Sequence, residues 1–314
     1  MKLFWFLTGA VGAIFAIVLL IAYLCYRKAF FVSRHAKQHP IGLPEDEIYG
    51  QFREKIDKWA EHTRTLPCEE MEITSFDGLI LRGRYYEYAP GAPIELMFHG
   101  YRGTAERDLA GGVQRCFKLG RSALIVDQRC SGGSQGNVIT FGILEHRDCL
   151  RWVDHMIRRF GPDVKILLCG ISMGAATVLM AAGTPLPENV IGVLADCSYT
   201  SPKEIIQKVT RSMGLPPKLA YPFVKLGAKI FGKFDLEETS PVEAVRKCKV
   251  PVFFIHGEGD DYVPCQMSQK NYEACASRKM LVTIPGAAHG LSYPVAPERY
   301  LQTLGEFFGP EASL

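Results

Sequence analysis

The hydrophobic pattern divides the chain into an apolar head and a long alternating body. Positions 3–26 carry no charged side chain. A helix over those 24 residues spans about 36 Å, enough to cross a bilayer core of about 30 Å. A cleavable export signal has an apolar stretch of only about 7–15 residues and a small-x-small cut site. This run is longer and no such site precedes its polar flank, so the pattern predicts a membrane-spanning helix. Residues 30–44 then read as a polar tether punctuated by Pro40, Gly42 and Pro44. Pro44, Glu45, Asp46 and Glu47 put proline and acids in the first turn of a further helix, favourable against its dipole. That helix runs to about Arg64 with Ile48, Phe52, Ile56 and Trp59 on one face, an accessory helix packed on the body.

From Cys68 onward, period-two runs give way to strands alternating with helices. Residues 69–74 and 79–88 alternate across Asp77-Gly78 and predict an antiparallel hairpin. Apolar runs at 94–98, 122–126, 164–169, 190–195, 250–255 and 279–284 predict six further strands. Helical patterns cover 105–118, 142–160, 175–182, 266–276 and 296–308. This order predicts an α/β fold: a mostly parallel sheet covered by helices on both faces, with function in loops at the strand C-terminal ends.

One connection breaks the rhythm. About fifty residues, 201–249, separate two strands that one helix could join. They hold helical segments near 202–213 and 221–231 around Pro216-Pro217, and are rich in apolar side chains such as Leu215, Leu219, Phe223 and Ile230. A short helical lid over the site is the expectation. The organisation expected is therefore a transmembrane anchor at 1–28, a tether and accessory helix at 29–66, and a body at 67–314 with the lid inserted.

Charge and composition narrow the functional classes. A net charge of +3, with no dense basic patch or aromatic ladder, gives no footprint for nucleic acid. Ten cysteines include no CxxC pair, which argues against a zinc or dithiol redox site; disulfides between the others stay open. Lys2 precedes the apolar head while Arg27, Lys28, Arg34 and Lys37 follow it. The positive-inside bias then puts the body on the cytoplasmic side of a single-pass protein.

The densest chemical signal is Gly170-Ile171-Ser172-Met173-Gly174, between an apolar strand run and a small-residue helix run. A serine between glycines at a strand-to-helix turn presents its hydroxyl for attack. Two further motifs follow in order: His256-Gly257-Glu258-Gly259-Asp260-Asp261-Tyr262-Val263-Pro264 and Gly286-Ala287-Ala288-His289-Gly290. With these three motifs the chain resembles the alpha/beta-hydrolase superfamily from about residue 68 to the C-terminus, and within it the single-domain serine hydrolases that carry an N-terminal membrane segment.

The resemblance implies Ser172 as nucleophile, Asp260 as acid and His289 as base. The chemistry agrees: a serine hydroxyl is weak until a base takes its proton, and a carboxylate fixes that base's tautomer. Asp261 and Asp196 are rival acids and His256 the rival base. The resemblance further implies backbone N–H donors at Met173 and Tyr101 for the oxyanion, no metal and no organic cofactor. Arg102 either lines a substrate pocket or forms a surface salt bridge, and Tyr199 faces the same rim as a pocket candidate. The glycine-rich loop at 127–136 departs from the family pattern at Cys130 and Ser131; it lacks a P-loop lysine and reads as a buttress through Arg129 and Ser134. The activity implied is hydrolysis of carboxylic esters, of small molecules or membrane lipids. Peptidase, amidase or thioesterase activity, or a catalytically silent membrane scaffold, are the alternatives.

Overall fold

The alternating body builds one eight-stranded sheet whose strands, from edge to edge, are 69–74, 80–86, 122–127, 94–98, 166–171, 190–196, 252–257 and 279–284. The computed structural model describes residues 1–38, 42 and 47–309. The strands are β1 (Glu69–Thr74), β2 (Ile80–Tyr86), β3 (Ile94–Phe98), β4 (Ser122–Asp127), β5 (Ile166–Ile171), β6 (Val190–Asp196), β7 (Val252–Gly257) and β8 (Lys279–Ile284). β2 runs antiparallel to β1 and β4, and all other pairings are parallel. Chain order and sheet order therefore differ at β3 and β4, which puts the C-terminal ends of β3 and β5 side by side.

The helices are α1 (Lys2–Ala29), α2 (Arg34–Gln38), α3 (Glu47–Thr65), α4 (Ala105–Lys118), α5 (Glu145–Phe160), α6 (Met173–Ala182), α7 (Pro202–Ser212), α8 (Pro217–Gly227), α9 (Pro241–Val245), α10 (Gln266–Ala274), α11 (Ser292–Val295) and α12 (Pro297–Phe308). Several begin where the sequence supplies an acceptor for orphan first-turn donors. The side chains of Thr104, Ser201 and Ser240 accept from the N–H groups of Arg107, Glu204 and Glu243. The second insertion helix starts at Pro217 rather than near Tyr221, because a proline at the first helical position loses no hydrogen bond. The proline-and-acid start expected at 44–46 lies outside the described residues.

Side-chain alternation divides the core between the two faces of the sheet. Ile94, Leu96 and Phe98 pack with Trp152 and Val178, whereas Met97 packs with Leu109, Tyr300 and Phe307. Glu95 shares the Met97 face and is fully buried in an otherwise apolar strand. Its carboxylate accepts from Arg121 Nη1 at 2.7 Å and from Arg115 Nη2. Burial alone would raise its pKa, but the two guanidiniums outweigh that and hold it at about 2.

The apolar head and the insertion meet. Among the described residues, one helix is long and apolar enough to cross a membrane, Phe4–Ala29, and its most apolar stretch is not buried. Its C-terminal end is a different matter. Tyr26, Phe30 and Val32 are buried with Phe141, Val224, Ala228 and Phe234, and Ala22 is buried too. Gly227 of α8 lies so close to α1 that a Cβ there would strike the Ala22 carbonyl. The segment expected to be a polar tether begins with docked chain: Phe31 bridges to Val138, Val32 N–H donates to the Asn137 carbonyl, and Ile139 N–H to the Phe30 carbonyl. Phe30 is too apolar to sit in water, and the pocket between Phe141 and Phe234 takes its ring.

Removing Glu95 leaves two buried guanidiniums without their shared anion. Glu95→Ala is expected to destabilise the full chain by about 3–5 kcal/mol, read by urea unfolding. Because its folded pKa lies below the unfolded value of about 4.3, the wild-type advantage is fully present above that pH and shrinks as pH falls toward about 2.

Candidate active site

The turn from β5 into α6 is built on three backbone constraints. Ser172 sits at φ 56°, ψ −116°, a region that side-chain-bearing residues rarely occupy and that costs on the order of 1–3 kcal/mol. Its N–H donates to the Asp196 carbonyl at 2.8 Å. A Cβ at Gly170 would collide with the Gly174 backbone, and one at Gly174 with the Phe98 carbonyl. Both glycines are needed so that α6 can leave β5 this sharply and pass against β3.

Three predicted side chains come together at this turn. His289, in the loop after β8, has Nε2 2.8 Å from Ser172 Oγ and Nδ1 2.6 Å from Asp260 Oδ2. The other oxygen of Asp260 accepts the N–H groups of Tyr262 at 2.9 Å and Val263 at 2.7 Å. Burial would raise the Asp260 pKa, but hydrogen bonds from His256 and His289, the His289 charge and the Val263 N–H hold it at about 2. Cys197 Sγ lies within 4.8 Å of ligand atoms on Asp260 and His289. Burial pushes that thiol's pKa well up, and the His289–Asp260 hydrogen bond engages the atoms a cation would need.

The rivals are placed elsewhere. His256 is fully buried, with Nδ1 2.7 Å from Ser268 Oγ and Nε2 2.8 Å from the Val263 carbonyl and 3.1 Å from Asp260. It props the acid loop from behind. Asp196 accepts from Ser292 Oγ at 3.0 Å and Tyr300 Oη at 3.2 Å, and burial raises its pKa. Asp261 is exposed at the rim.

The loop after β3 supplies the facing wall. His99 is buried and its Nε2 accepts the Gln128 N–H at 3.0 Å; Gly100 N–H donates to Asp108 at 2.9 Å. Tyr101 follows Gly100, and Met173 is the first residue of α6, where an N–H has no acceptor within its own helix. Tyr101 Oη donates to the Ala29 carbonyl at 2.8 Å and accepts from Arg102 Nε at 2.9 Å. Arg102 Nη2 donates to the Lys28 and Phe31 carbonyls at 3.1 Å each. Arg102 thus lines the cavity but also caps the C-terminal end of α1, where a cation and orphan carbonyls suit one another; its partners are oxygens of the main chain and Tyr101 rather than the surface carboxylate considered from sequence.

Two expectations are corrected. Tyr199 does not line the cavity: its ring is buried with Phe141 and Ile205, and its hydroxyl donates to the Phe141 carbonyl at 2.9 Å. The insertion 201–249 does not roof the site either. None of the residues lining the cavity of about 600 Å³ beside Ser172 comes from it. Tyr221, Val224, Ala228 and Phe234 pack with Tyr26 and Phe30 at the end of α1, while Leu215, Leu219 and Ile230 stay exposed; α3 forms that cavity wall instead, through Ile48, Tyr49, Ile56 and Trp59. Tyr49 Oη donates to the His289 carbonyl, a contact with no signal in the sequence. Asp108 is equally silent there, since an acid in a helix's first turn looks like ordinary dipole compensation.

The glycine-rich loop is a buttress. Arg129 pairs with Asp148 at 2.7 Å and Asp77 at 3.0 Å, and Ser134 Oγ donates to the Asp127 carbonyl. Cys130 adopts φ 71°, the left-handed conformation that usually favours glycine.

A scan against protein-family models finds no match. The chain is 26% identical to the uncharacterized protein YqkD of Bacillus subtilis over 303 residues, 95% of either chain. Among solved structures it superposes on the Pyrococcus furiosus esterase Pf2001 with a TM-score of 0.64 at 21% identity, covering 85% of this chain and 96% of that one. The acylaminoacyl peptidase of Pyrococcus horikoshii gives a TM-score of 0.56 at 18% identity, covering 79% of this chain and 42% of that one. The fold is that of the alpha/beta-hydrolases.

Arg102→Ala removes three hydrogen bonds at the junction of α1 and the site loop. Loosening of that junction by about 1–3 kcal/mol is expected, seen as faster tryptic cleavage at Lys28 and Arg34 than in wild type.

Proposed function

We propose that this chain is a membrane-anchored serine hydrolase that cleaves carboxylic esters through an acyl-enzyme on Ser172. The observation that carries the reading is the position of His289, within hydrogen-bond distance of Ser172 Oγ on one nitrogen and of Asp260 on the other. His289 takes the hydroxyl proton as Ser172 attacks the ester carbonyl, then returns it to the departing alcohol. Asp260, ionised far below neutral pH, stabilises the imidazolium and fixes which nitrogen faces the serine. Water repeats the sequence on the acyl-enzyme, releasing the acid. The Met173 and Tyr101 N–H groups receive the charge that develops on the carbonyl oxygen; one such donor is worth about 2.7–4 kcal/mol in the transition state.

Membrane anchoring is the second part of the proposal. It is supported by an exposed apolar face carrying Phe4, Trp5, Val11, Ile14 and Phe15 on a 28-residue helix, a surface that water does not tolerate at this size. The basic flank Arg27, Lys28, Arg34 and Lys37 favours a cytoplasmic body. The division into an anchor at 1–28, a connecting segment and accessory helix at 29–66 and a hydrolase body at 67–314 is part of the same reading. Because Tyr101 and Arg102 hold the carbonyls of Lys28, Ala29 and Phe31, the site would work beside the anchor's exit, suited to esters at a membrane surface.

A fluorophosphonate probe is expected to label the wild-type chain and not Ser172→Ala. Asp260→Asn should fold but lose roughly 10³–10⁴-fold in turnover of p-nitrophenyl esters, since the imidazole loses its tautomer control. Folded wild-type protein that takes no label would sink the enzyme reading and favour a scaffold. Faster cleavage of aminoacyl amides than of matched esters would move the substrate class to peptides.

A further inference from the structure

The cavity beside Ser172 is apolar along α3 but not at its far end. Arg115, on α4, and Tyr293, on α11, both line it and are only 7% and 6% exposed. Arg115 uses Nη2 on Glu95, while its Nε–H has no hydrogen-bond partner; the Tyr293 hydroxyl has none either. A buried polar group left unpaired is costly, and more so when it is charged. Two such donors facing one cavity mark a place where a ligand acceptor belongs.

Neighbouring groups hold both side chains in position. The Tyr293 ring stacks on Trp59 with centroids 5.1 Å apart and meets Tyr300 edge-on at 5.3 Å. The Arg115 guanidinium lies over the Tyr300 ring at 5.5 Å. Glu95 serves both Arg115 and Arg121 from outside the cavity, while Asp196, in the cavity wall, is engaged by Ser292 and Tyr300. Arg115 Nη2 is 3.7 Å from Cys169 Sγ. Cys169 precedes Ser172 by three residues, about 10 Å of extended chain, which makes a medium-length acyl chain the span to test.

We propose that Arg115 and Tyr293 form a receptor for a carboxylate at the far end of the substrate's acyl chain, so that the preferred substrates are monoesters of medium-length dicarboxylic acids. This rests on the ester-hydrolase reading above. The apolar wall of Ile56 and Trp59 takes the methylenes, and the two buried donors take the terminal oxygens. The hydrolysis itself is unchanged: the acyl–oxygen bond breaks, the alcohol leaves with the proton from His289, and water yields the diacid.

The test compares p-nitrophenyl octanoate, the p-nitrophenyl monoester of octanedioic acid, and the 7-oxo-octanoate ester as a neutral acceptor. Wild type is expected to favour the carboxylate-tipped ester over the methyl-tipped one by about tenfold or more in kcat/KM, with the keto ester between them. Tyr293→Phe, which removes one oxygen from a ring whose stacking it keeps, should lower that preference ratio at least threefold. Equal or greater kcat/KM for the methyl-tipped ester overturns the proposal and assigns the two donors to solvent. A preference that survives Tyr293→Phe and Arg115→Lys together also overturns it. A keto ester that matches the carboxylate-tipped one would overturn the charge requirement. Should no ester be turned over, the hydrolase reading fails separately, and binding to Ser172→Ala still decides the receptor. Trp59-reported fluorescence titration with octanedioic acid monoamide and with octanamide should show the acid binding at least tenfold tighter; equal affinity refutes it.

Discussion

The sharp reversal of the chain at Ser172 is the constraint on which the rest of the molecule depends. A residue with a side chain is held at φ 56°, and nothing local makes that favourable. It persists because the Ser172 N–H is bonded to the Asp196 carbonyl of the neighbouring strand, and because Gly170 and Gly174 let α6 fold back against β5 and β3. The parallel pairing of β5 with both β3 and β6 is thus what secures the turn. In return the strained turn lifts one hydroxyl out of the sheet, toward His289 and the loop after β3.

A second consequence runs through that loop. Gly100 is held by Asp108 from inside, and Tyr101 and Arg102 reach outward to the end of α1. The end of the apolar helix and the wall of the site are therefore one bonded unit. The insertion completes it by packing Tyr221 and Val224 of α8 against the end of α1, away from the cavity. That cover falls to α3, whose Trp59 stacks on Tyr293 and whose Tyr49 bonds the His289 carbonyl.

Much of the sheet could be read along the chain, because strands buried on both faces are apolar runs and their helices carry a 3.6-residue repeat. Two helix starts moved, by four residues to Pro217, where a proline suits the first turn, and by three to Glu145. The ingredients of the site were legible for a related reason: Ser172, Asp260 and His289 stand in local motifs whose glycines, turns and strand ends are set by neighbouring residues. Asp108, Tyr49, Arg115 and Tyr293 stand in no such motif. Each looks in sequence like an ordinary helix residue, and only the side chain opposite gives it a part in the cavity.

The sequence alone therefore determined the apolar head, the alternation of strands and helices, and the local motifs that carry Ser172, Asp260 and His289. Each of these is a property of a few neighbouring residues. What the tertiary structure decided was pairing between distant segments: that Glu95 answers two arginines, that Arg102 caps α1, that Tyr199 is core, and that α3 rather than the insertion walls the cavity. An amphipathic face specifies that it must be covered, because apolar burial is non-directional. It does not specify by what, and that choice is made only when all the faces compete for one another in space.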